Sequence, residues 1–255
     1  MKKKLIAGNW KMNLTLNASI ELTGNIVKNV PKKSIIETEV LICPTFIALS
    51  ACSKLLKDSG IMLGAQNMSD KDDGAYTGEI SASMLTAAGC EFVIIGHSER
   101  RKYFGETNQI VNSKSLKALT SGLKPIICVG ETLQEREDEI YEAIVEKQIS
   151  EGLAGISDEQ MSDVTIAYEP VWAIGTGLNA TPKQASDMHK FIRGLISGKY
   201  GSEIGNETRI LYGGSVNAKN AGEILHAGGI DGALVGGAAL KAEEFCTIIS
   251  SATEK

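Results

Sequence analysis

Short apolar runs alternate with longer amphipathic stretches along the whole chain. Each run is too short for a helix and is rich in valine, isoleucine or leucine, as expected of strands buried in a parallel sheet. The pattern predicts eight strands: Leu5–Ala7, Val40–Cys43, Ile61–Gly64, Phe92–Gly96, Pro125–Val129, Val164–Tyr168, Ile210–Tyr212 and Gly232–Val235.

The stretches between these runs have apolar residues at helical spacing, so eight helical segments are predicted. One covers Asn17 to Val30. Another starts at Thr181, a preferred helix N-cap, with Pro182 in the first turn. Asn217 is predicted to cap a third helix in the same way, ahead of Ala221.

Eight strands alternating with eight helices leave two arrangements, an open doubly wound sheet or a closed (β/α)8 barrel. Gly8-Asn9-Trp10, after the first run, lacks the glycine pattern of a dinucleotide-binding sheet. A length of 255 residues suits one barrel. We therefore predict an α/β fold, a single-domain (β/α)8 barrel of eight parallel strands over residues 1–255.

Composition narrows the function classes. Lys and Arg total 26 against 31 Asp and Glu, a net charge of -5, which argues against a nucleic-acid partner. No apolar run reaches the ~18 residues of a membrane span, and no leader is apparent, so a cytoplasmic location is expected. The five cysteines form no C-x-x-C pair and are predicted to be reduced, buried thiols.

In a barrel, functional side chains collect where strands end and loops begin. The predicted strands are followed by a base candidate, an imidazole, an ammonium group and glycine-rich turns. This ring comprises Asn9, Lys11, Gln66, Asn67, His97, Glu99, Glu131, Glu169, Ser215 and the pair Gly236-Gly237.

Glu169 is the candidate general base. Pro170 disfavours helical backbone at Glu169, so the carboxylate should leave its strand extended. Partial burial would raise its pKa towards the working range of a base. The apolar, glycine-containing segment from Pro170 to Gly177 resembles a lid that excludes water. An ion-paired structural carboxylate and a packed structural loop are the alternatives.

His97 lies near a predicted helix start at Ser98, which should favour its neutral ring, and that ring could donate a hydrogen bond to a carbonyl. A purely structural histidine is the alternative.

Lys11 could bind a phosphate, form a Schiff base or lie on the surface. The turns containing Ser215 and Gly236-Gly237 could present backbone N–H groups to an anion.

With these residues in view, the chain resembles the triosephosphate isomerase family essentially from end to end. Five motifs in the family's order carry the resemblance: Gly8-Asn9-Trp10-Lys11-Met12-Asn13, Gly74-Ala75-Tyr76-Thr77-Gly78-Glu79, His97-Ser98-Glu99-Arg100-Arg101, Ala167-Tyr168-Glu169-Pro170-Val171-Trp172-Ala173-Ile174-Gly175-Thr176-Gly177 and Tyr212-Gly213-Gly214-Ser215-Val216. The resemblance implies a TIM barrel that interconverts dihydroxyacetone phosphate and glyceraldehyde 3-phosphate, a step of glycolysis and gluconeogenesis, without a cofactor or metal.

By that similarity, Glu169 moves a proton between adjacent carbons, neutral His97 polarises the carbonyl, and Lys11 stabilises the enediolate. This division of roles is what the resemblance to the family implies. Asn9 and Lys11 would bind substrate, and the phosphate would be held by Gly175, Ser215, Gly236 and Gly237.

Two further expectations concern the surroundings of Glu169. Ile174 on the lid and Leu234 on the last strand should close over Glu169 and raise its basicity. Ala239 stands where many relatives have serine, which puts a hydroxyl contribution there in doubt.

The long Asn67–Glu79 loop reaches into a second subunit in the resembled family, so a homodimer is expected. Two rival functions remain: a Schiff-base aldolase of sugar phosphates using Lys11, which needs that lysine in an apolar pocket, and a non-catalytic barrel that binds a partner or effector.

Overall fold

The chain folds into a closed barrel of eight parallel strands. The computed structural model describes residues 2–173 and 180–253. The strands follow one another in sequence order around the barrel, and the last pairs with the first, Leu5 opposite Gly232. The predicted fold is confirmed, with strands β1 (Lys4–Asn9), β2 (Thr38–Cys43), β3 (Ile61–Ala65), β4 (Phe92–Ile95), β5 (Lys124–Val129), β6 (Thr165–Tyr168), β7 (Arg209–Tyr212) and β8 (Gly232–Val235).

Helices surround the sheet, but several connections hold two helices where the sequence pattern predicted one. The described residues contain α1 (Leu16–Asn29), α2 (Lys32–Glu37), α3 (Leu49–Leu56), α4 (Ala82–Ala87), α5 (Ser98–Phe104), α6 (Asn108–Thr120), α7 (Leu133–Glu137), α8 (Tyr141–Gly152), α9 (Pro182–Tyr200), α10 (Ser202–Glu207), α11 (Ala221–Leu225) and α12 (Ala242–Ser251). Single 3-10 turns cover Phe46–Ala48, Gln160–Asp163, Val171–Ala173 and Gly237–Leu240.

Helix starts follow the side chains available to accept the free N–H groups of the first turn. Thr181 caps α9 as predicted, and its hydroxyl accepts from the Gln184 N–H. The prediction for Asn217 was wrong. Its side-chain oxygen accepts from the N–H groups of Lys219 and Asn220, which caps a turn, and α11 begins only at Ala221.

Side chains alternate along each strand between two apolar layers. Leu5 and Ala7 of β1 point into the barrel, whereas Ile6 packs towards the helices. The barrel interior is filled mainly by small and aliphatic side chains, with Phe92 as the one aromatic member of that cluster in the described chain. This interior packing makes the barrel a solid scaffold, so a substrate site must lie at a rim.

The five cysteines are all free and buried, as predicted. Burial raises the pKa of Cys43 and of Cys128 well above the usual value of a thiol. Within the described helices, none is long and apolar enough to cross a membrane.

His189 is a fully buried side chain on α9. Its Nδ1–H donates to the Gly229 carbonyl at 3.3 Å, and its ring meets Tyr168 edge-on at 6.0 Å between centroids. Burial disfavours the imidazolium and lowers the pKa of His189 to about 4. The folded protein therefore holds this ring neutral at pH values where the unfolded chain would protonate it.

This burial predicts acid sensitivity. The contribution of His189 is complete above about pH 6.5, the pKa of an unperturbed histidine, and is lost as the pH falls towards 4. The loss should approach about 3 kcal/mol of unfolding free energy. Urea unfolding at a series of pH values should show a shallower decline between pH 6.5 and 4 in His189→Gln. The exposed-site control His226→Gln should decline like wild type, and an equal decline in both variants would contradict the assignment.

Candidate active site

A cavity of about 430 Å³ opens at the carboxyl ends of the strands. It lies where the loops after β1, β4, β6, β7 and β8 converge. Eight residues of the predicted ring line it together: Asn9, Lys11, His97, Glu99, Glu169, Ser215, Gly236 and Gly237. Leu234 also lines it, on the side of the barrel interior.

Glu169 projects from the end of β6 with only 2% of its surface exposed. Both carboxylate oxygens have partners. Oε1 lies 2.9 Å from His97 Nε2, and Oε2 accepts the Ser98 backbone N–H at 2.8 Å. The backbone of Glu169 extends the β5–β6 ladder, because its N–H donates to the Val129 carbonyl at 2.7 Å. The base candidate is thus held at both its backbone and its carboxylate.

These partners reverse the expected direction of the Glu169 pKa. Burial acts to raise the pKa, as predicted from position. His97 and the Ser98 N–H stabilise the carboxylate more strongly, so the pKa of Glu169 is lowered. In this arrangement Glu169 is an ionised but weakly basic group, and its basicity depends on whether these two donors stay in contact with it.

His97 is placed by the turn that follows β4. Gly96 has φ +70, and a Cβ there would lie 2.6 Å from a Val111 methyl group, so the turn requires glycine. His97 is the N-cap of α5, and its Nδ1 accepts the Glu99 N–H at 3.2 Å. Because Nδ1 accepts, Nε2 carries the ring proton and donates it to Glu169.

The charge of Glu169 also acts on His97. Burial acts to lower the pKa of His97, but the adjacent carboxylate outweighs it, so the pKa is raised. The expectation of a depressed pKa therefore fails while the two groups touch. The neutral ring is nevertheless the form that fits the accepted hydrogen bond at Nδ1.

Lys11 is held in an uncommon backbone conformation with φ 52, which residues other than glycine seldom adopt. Its N–H donates to the Asn9 side-chain oxygen at 3.0 Å, and its carbonyl accepts from Gln66 Nε2 at 2.8 Å. The ammonium group forms an ion pair with Glu99 Oε1 at 2.6 Å. These contacts direct the lysine into the cavity and explain why Asn9 and Gln66 follow their strands.

The glycine-rich turns form the wall opposite Glu99. Ser215 follows β7, whereas Gly236 and Gly237 follow β8 and begin a 3-10 turn. Ala239 is fully buried beneath this turn and packs against Gly8 rather than the cavity. The predicted contacts of Gly175 and Ile174 lie outside the described residues.

Glu131 belongs to the predicted ring but does not line the cavity. It is fully buried, and its Oε1 accepts from Tyr168 Oη at 3.0 Å, Trp172 Nε1 at 2.8 Å and Arg136 Nη1 at 3.1 Å. Glu131 therefore joins the end of β5 to β6 and to the start of the predicted lid. Glu131 follows its strand as predicted, but its side chain points away from the cavity.

Two contacts of the site were not predicted, namely the Ser98 N–H that holds Glu169 and the ion pair of Glu99 with Lys11. The first had a signal in the sequence, because a helix starting at Ser98 leaves its first N–H groups free to bind an anion. The second joins side chains 88 positions apart, and no local pattern indicates such a pair.

The geometry combines a carboxylate, a hydrogen-bond donor and an ammonium group on one small cavity, a set suited to proton transfer beside a carbonyl. The sequence model of the triosephosphate isomerase family matches residues 4–252. The chain belongs to the triosephosphate isomerase family.

Individual relatives of this family agree closely in length. A triosephosphate isomerase of Chloroherpeton thalassium is 51% identical over 252 residues, covering 99% of this chain and all of the relative. One of Alkaliphilus oremlandii is 51% identical over 250 residues, covering 98% and 100%. One of Endomicrobium trichonymphae is 48% identical over 249 residues, covering 98% of both. Triosephosphate isomerases thus match this chain across the barrel and its loops.

The contact between Glu169 and His97 predicts a coupled titration. Replacing the carboxylate in Glu169→Gln removes the charge that raises the pKa of His97, so that pKa should fall. Nitrogen-15 NMR of the histidine rings would measure it. The control Glu244→Gln removes a carboxylate from the cavity rim that does not touch His97, and should move this pKa much less. Equal shifts in both variants would contradict the pairing.

Proposed function

We propose that the protein is a triose-phosphate isomerase that interconverts dihydroxyacetone phosphate and D-glyceraldehyde 3-phosphate through an enediolate. The observation that carries the proposal is the contact between Glu169 and the Nε2–H of His97 on a cavity that also holds Lys11. By similarity to the family, Glu169 is the base, His97 the electrophile and Lys11 the electrostatic stabiliser.

The first step separates Glu169 from His97. A substrate carbonyl oxygen that takes the Nε2–H of His97 deprives the carboxylate of one donor, and the buried carboxylate then becomes more basic. Removing the carboxylate from the ring also removes the interaction that raises the pKa of His97. One displacement therefore strengthens the base and keeps the imidazole neutral, which are the two states the reaction requires.

The proton taken by Glu169 from one carbon returns to its neighbour, while negative charge develops on the substrate oxygens. His97 donates to one of these oxygens, and the Lys11 ammonium stabilises the enediolate. Asn9 accepts a hydrogen bond from the Lys11 backbone N–H and lines the same cavity. Ser215, Gly236 and Gly237 hold the phosphate, largely with backbone N–H groups, and Gly175 adds a donor from the lid.

Water exclusion completes the proposed mechanism. The enediolate would lose phosphate in water, so Ile174 from the lid and Leu234 from β8 close over Glu169. Leu234 already forms the apolar floor of the cavity. Trp172, near the start of the lid segment Pro170–Gly177, donates a hydrogen bond to the buried Glu131.

The aldolase alternative has less support. A Schiff-base lysine needs an apolar pocket, whereas the Lys11 ammonium is paired with Glu99 at 2.6 Å in a polar cavity. Borohydride trapping with a ketose phosphate would give an adduct only with the aldolase.

We propose that the enzyme is a homodimer joined through the Asn67–Glu79 loop. Residues 71–79 of this loop are exposed, including Tyr76. Met12, directly after Lys11, has 95% of its surface exposed. A second copy covering Met12 would fix the conformation of Lys11, so the pocket would be complete only in the dimer.

We also propose that residues 1–255 form one catalytic domain, which works in the cytoplasm in glycolysis and gluconeogenesis.

The base assignment predicts the effect of shortening Glu169. In Glu169→Asp the carboxylate is withdrawn by one methylene, roughly 1 Å, which should lower kcat on the order of 10²-fold because proton transfer depends steeply on distance. A coupled assay on glyceraldehyde 3-phosphate measures it. Glu244→Asp, a shortened carboxylate on the rim, is the matched control. An unchanged rate in Glu169→Asp would rule out Glu169 as the base.

The dimer proposal predicts that assembly and activity fail together. Thr77→Arg places a charge at the exposed loop and should give a monomer by sedimentation velocity, with kcat lowered by about tenfold or more through misplacement of Lys11. Ile36→Arg, at an exposed apolar residue of α2 leading into the opposite end of the barrel, is the control. A fully active monomer would refute the shared pocket.

A further inference from the structure

Just past the end of β5, the backbone N–H and carbonyl of one residue, Gly130, have no strand partner. The carbonyls of Val129 and Glu131 accept from the N–H groups of Glu169 and Val171, at 2.7 and 3.0 Å, so these residues face β6. Gly130, between them, must turn its own N–H and carbonyl towards β4, because successive residues of a strand face opposite neighbours. However, β4 ends at Ile95, which pairs with Ile127.

The side chain of Gln148 replaces the missing strand. Gln148 lies on α8, and its Oε1 accepts the Gly130 N–H at 2.7 Å while its Nε2 donates to the Gly130 carbonyl at 3.1 Å. One amide therefore satisfies both backbone groups of one residue, 18 positions away in the sequence. We call this pair of hydrogen bonds the Gln148 clamp.

The clamped residue is in direct contact with the backbone of Glu169. A Cβ at Gly130 would lie 1.7 Å from the Glu169 carbonyl oxygen, so the two backbones approach more closely than any side chain allows. Only glycine fits there, and a displacement of Gly130 would be passed directly to Glu169. The Glu169 N–H is bonded to the preceding residue, Val129, so both peptide groups of Glu169 rest on this segment.

From this geometry we infer that Gln148 is a positioning residue for the general base. By clamping Gly130, it fixes the segment on which the backbone of Glu169 rests, so that the carboxylate can change partners from His97 to substrate while its backbone stays in place. Gln148 itself lines a separate cavity behind Glu169 and does not line the proposed substrate cavity. This inference rests on the proposed function, because it assigns Gln148 a part in the same proton transfer.

A residue that positions Glu169 and a residue that only stabilises the fold should affect different kinetic constants. The predicted phosphate contacts Ser215, Gly236 and Gly237 follow β7 and β8, neither of which pairs with β5. Loss of the clamp should therefore lower kcat, which depends on the position of Glu169. It should leave KM and the inhibition constant of inorganic phosphate unchanged.

The experiment compares three variants with wild type in the isomerase assay. Gln148→Met keeps the side-chain length but removes both hydrogen bonds, and kcat should fall by about tenfold, a fraction of what a full 1 Å misplacement costs. Gln148→Glu keeps an oxygen for the Gly130 N–H but cannot donate when ionised, and should lose less. Asn112→Leu is the control, because it removes an amide that donates to the carbonyls of Gly152 and Ala154, outside the cavity wall.

Three outcomes would overturn the inference. The first is an unchanged kcat in Gln148→Met or, if that variant does not fold, in Gln148→Glu. The second is a parallel loss of kcat and phosphate inhibition, which would show general damage to the site. The third is an equal loss of kcat in Asn112→Leu. An active wild type with an unaffected variant rejects the positioning role alone, whereas an inactive wild type rejects the proposed function and this inference with it.

Discussion

The rest of the site depends on the burial of one carboxylate. Glu169 is almost inaccessible to solvent, and an ionised group in that position must be hydrogen-bonded or become neutral. The chain meets this requirement with the ring of His97 and the first N–H of α5. Both come from the connection after β4, so the end of β4 and the start of α5 place the two donors that the buried carboxylate requires.

The barrel and the gathering of most candidate site residues at one rim could be predicted from the sequence. Strand patterns are local, and parallel connection puts every strand end at the same rim. The predictions that failed depended on the direction in which a side chain points and on contacts between residues far apart in the sequence. Glu131 follows its strand as expected, but its side chain accepts hydrogen bonds from Tyr168 and Trp172, which pack in the layer between the sheet and the helices. The sign of the Glu169 pKa shift depends on where one imidazole proton points, which no spacing encodes.

The two sides of Glu169 are supported differently. On the side of the cavity, its partners are a ring N–H and a helix N–H. On the other side, its peptide groups lie against β5, where Gly130 has no side chain and Gln148 closes the hydrogen bonds. The proposed proton transfer requires the Glu169 carboxylate to change partners while its backbone stays in place, and the strand ladder of the barrel provides the fixed contacts.

The five buried thiols have a consequence for the lifetime of the protein. A thiol reacts with oxidants as its thiolate, and burial suppresses both the thiolate and its contact with solvent. Oxidative damage to Cys43 or Cys128 must therefore follow an opening of the barrel, and it would then hinder repacking of a core that has no room for added oxygen atoms. The rate at which these cysteines are oxidised is therefore a measure of how often the folded barrel opens.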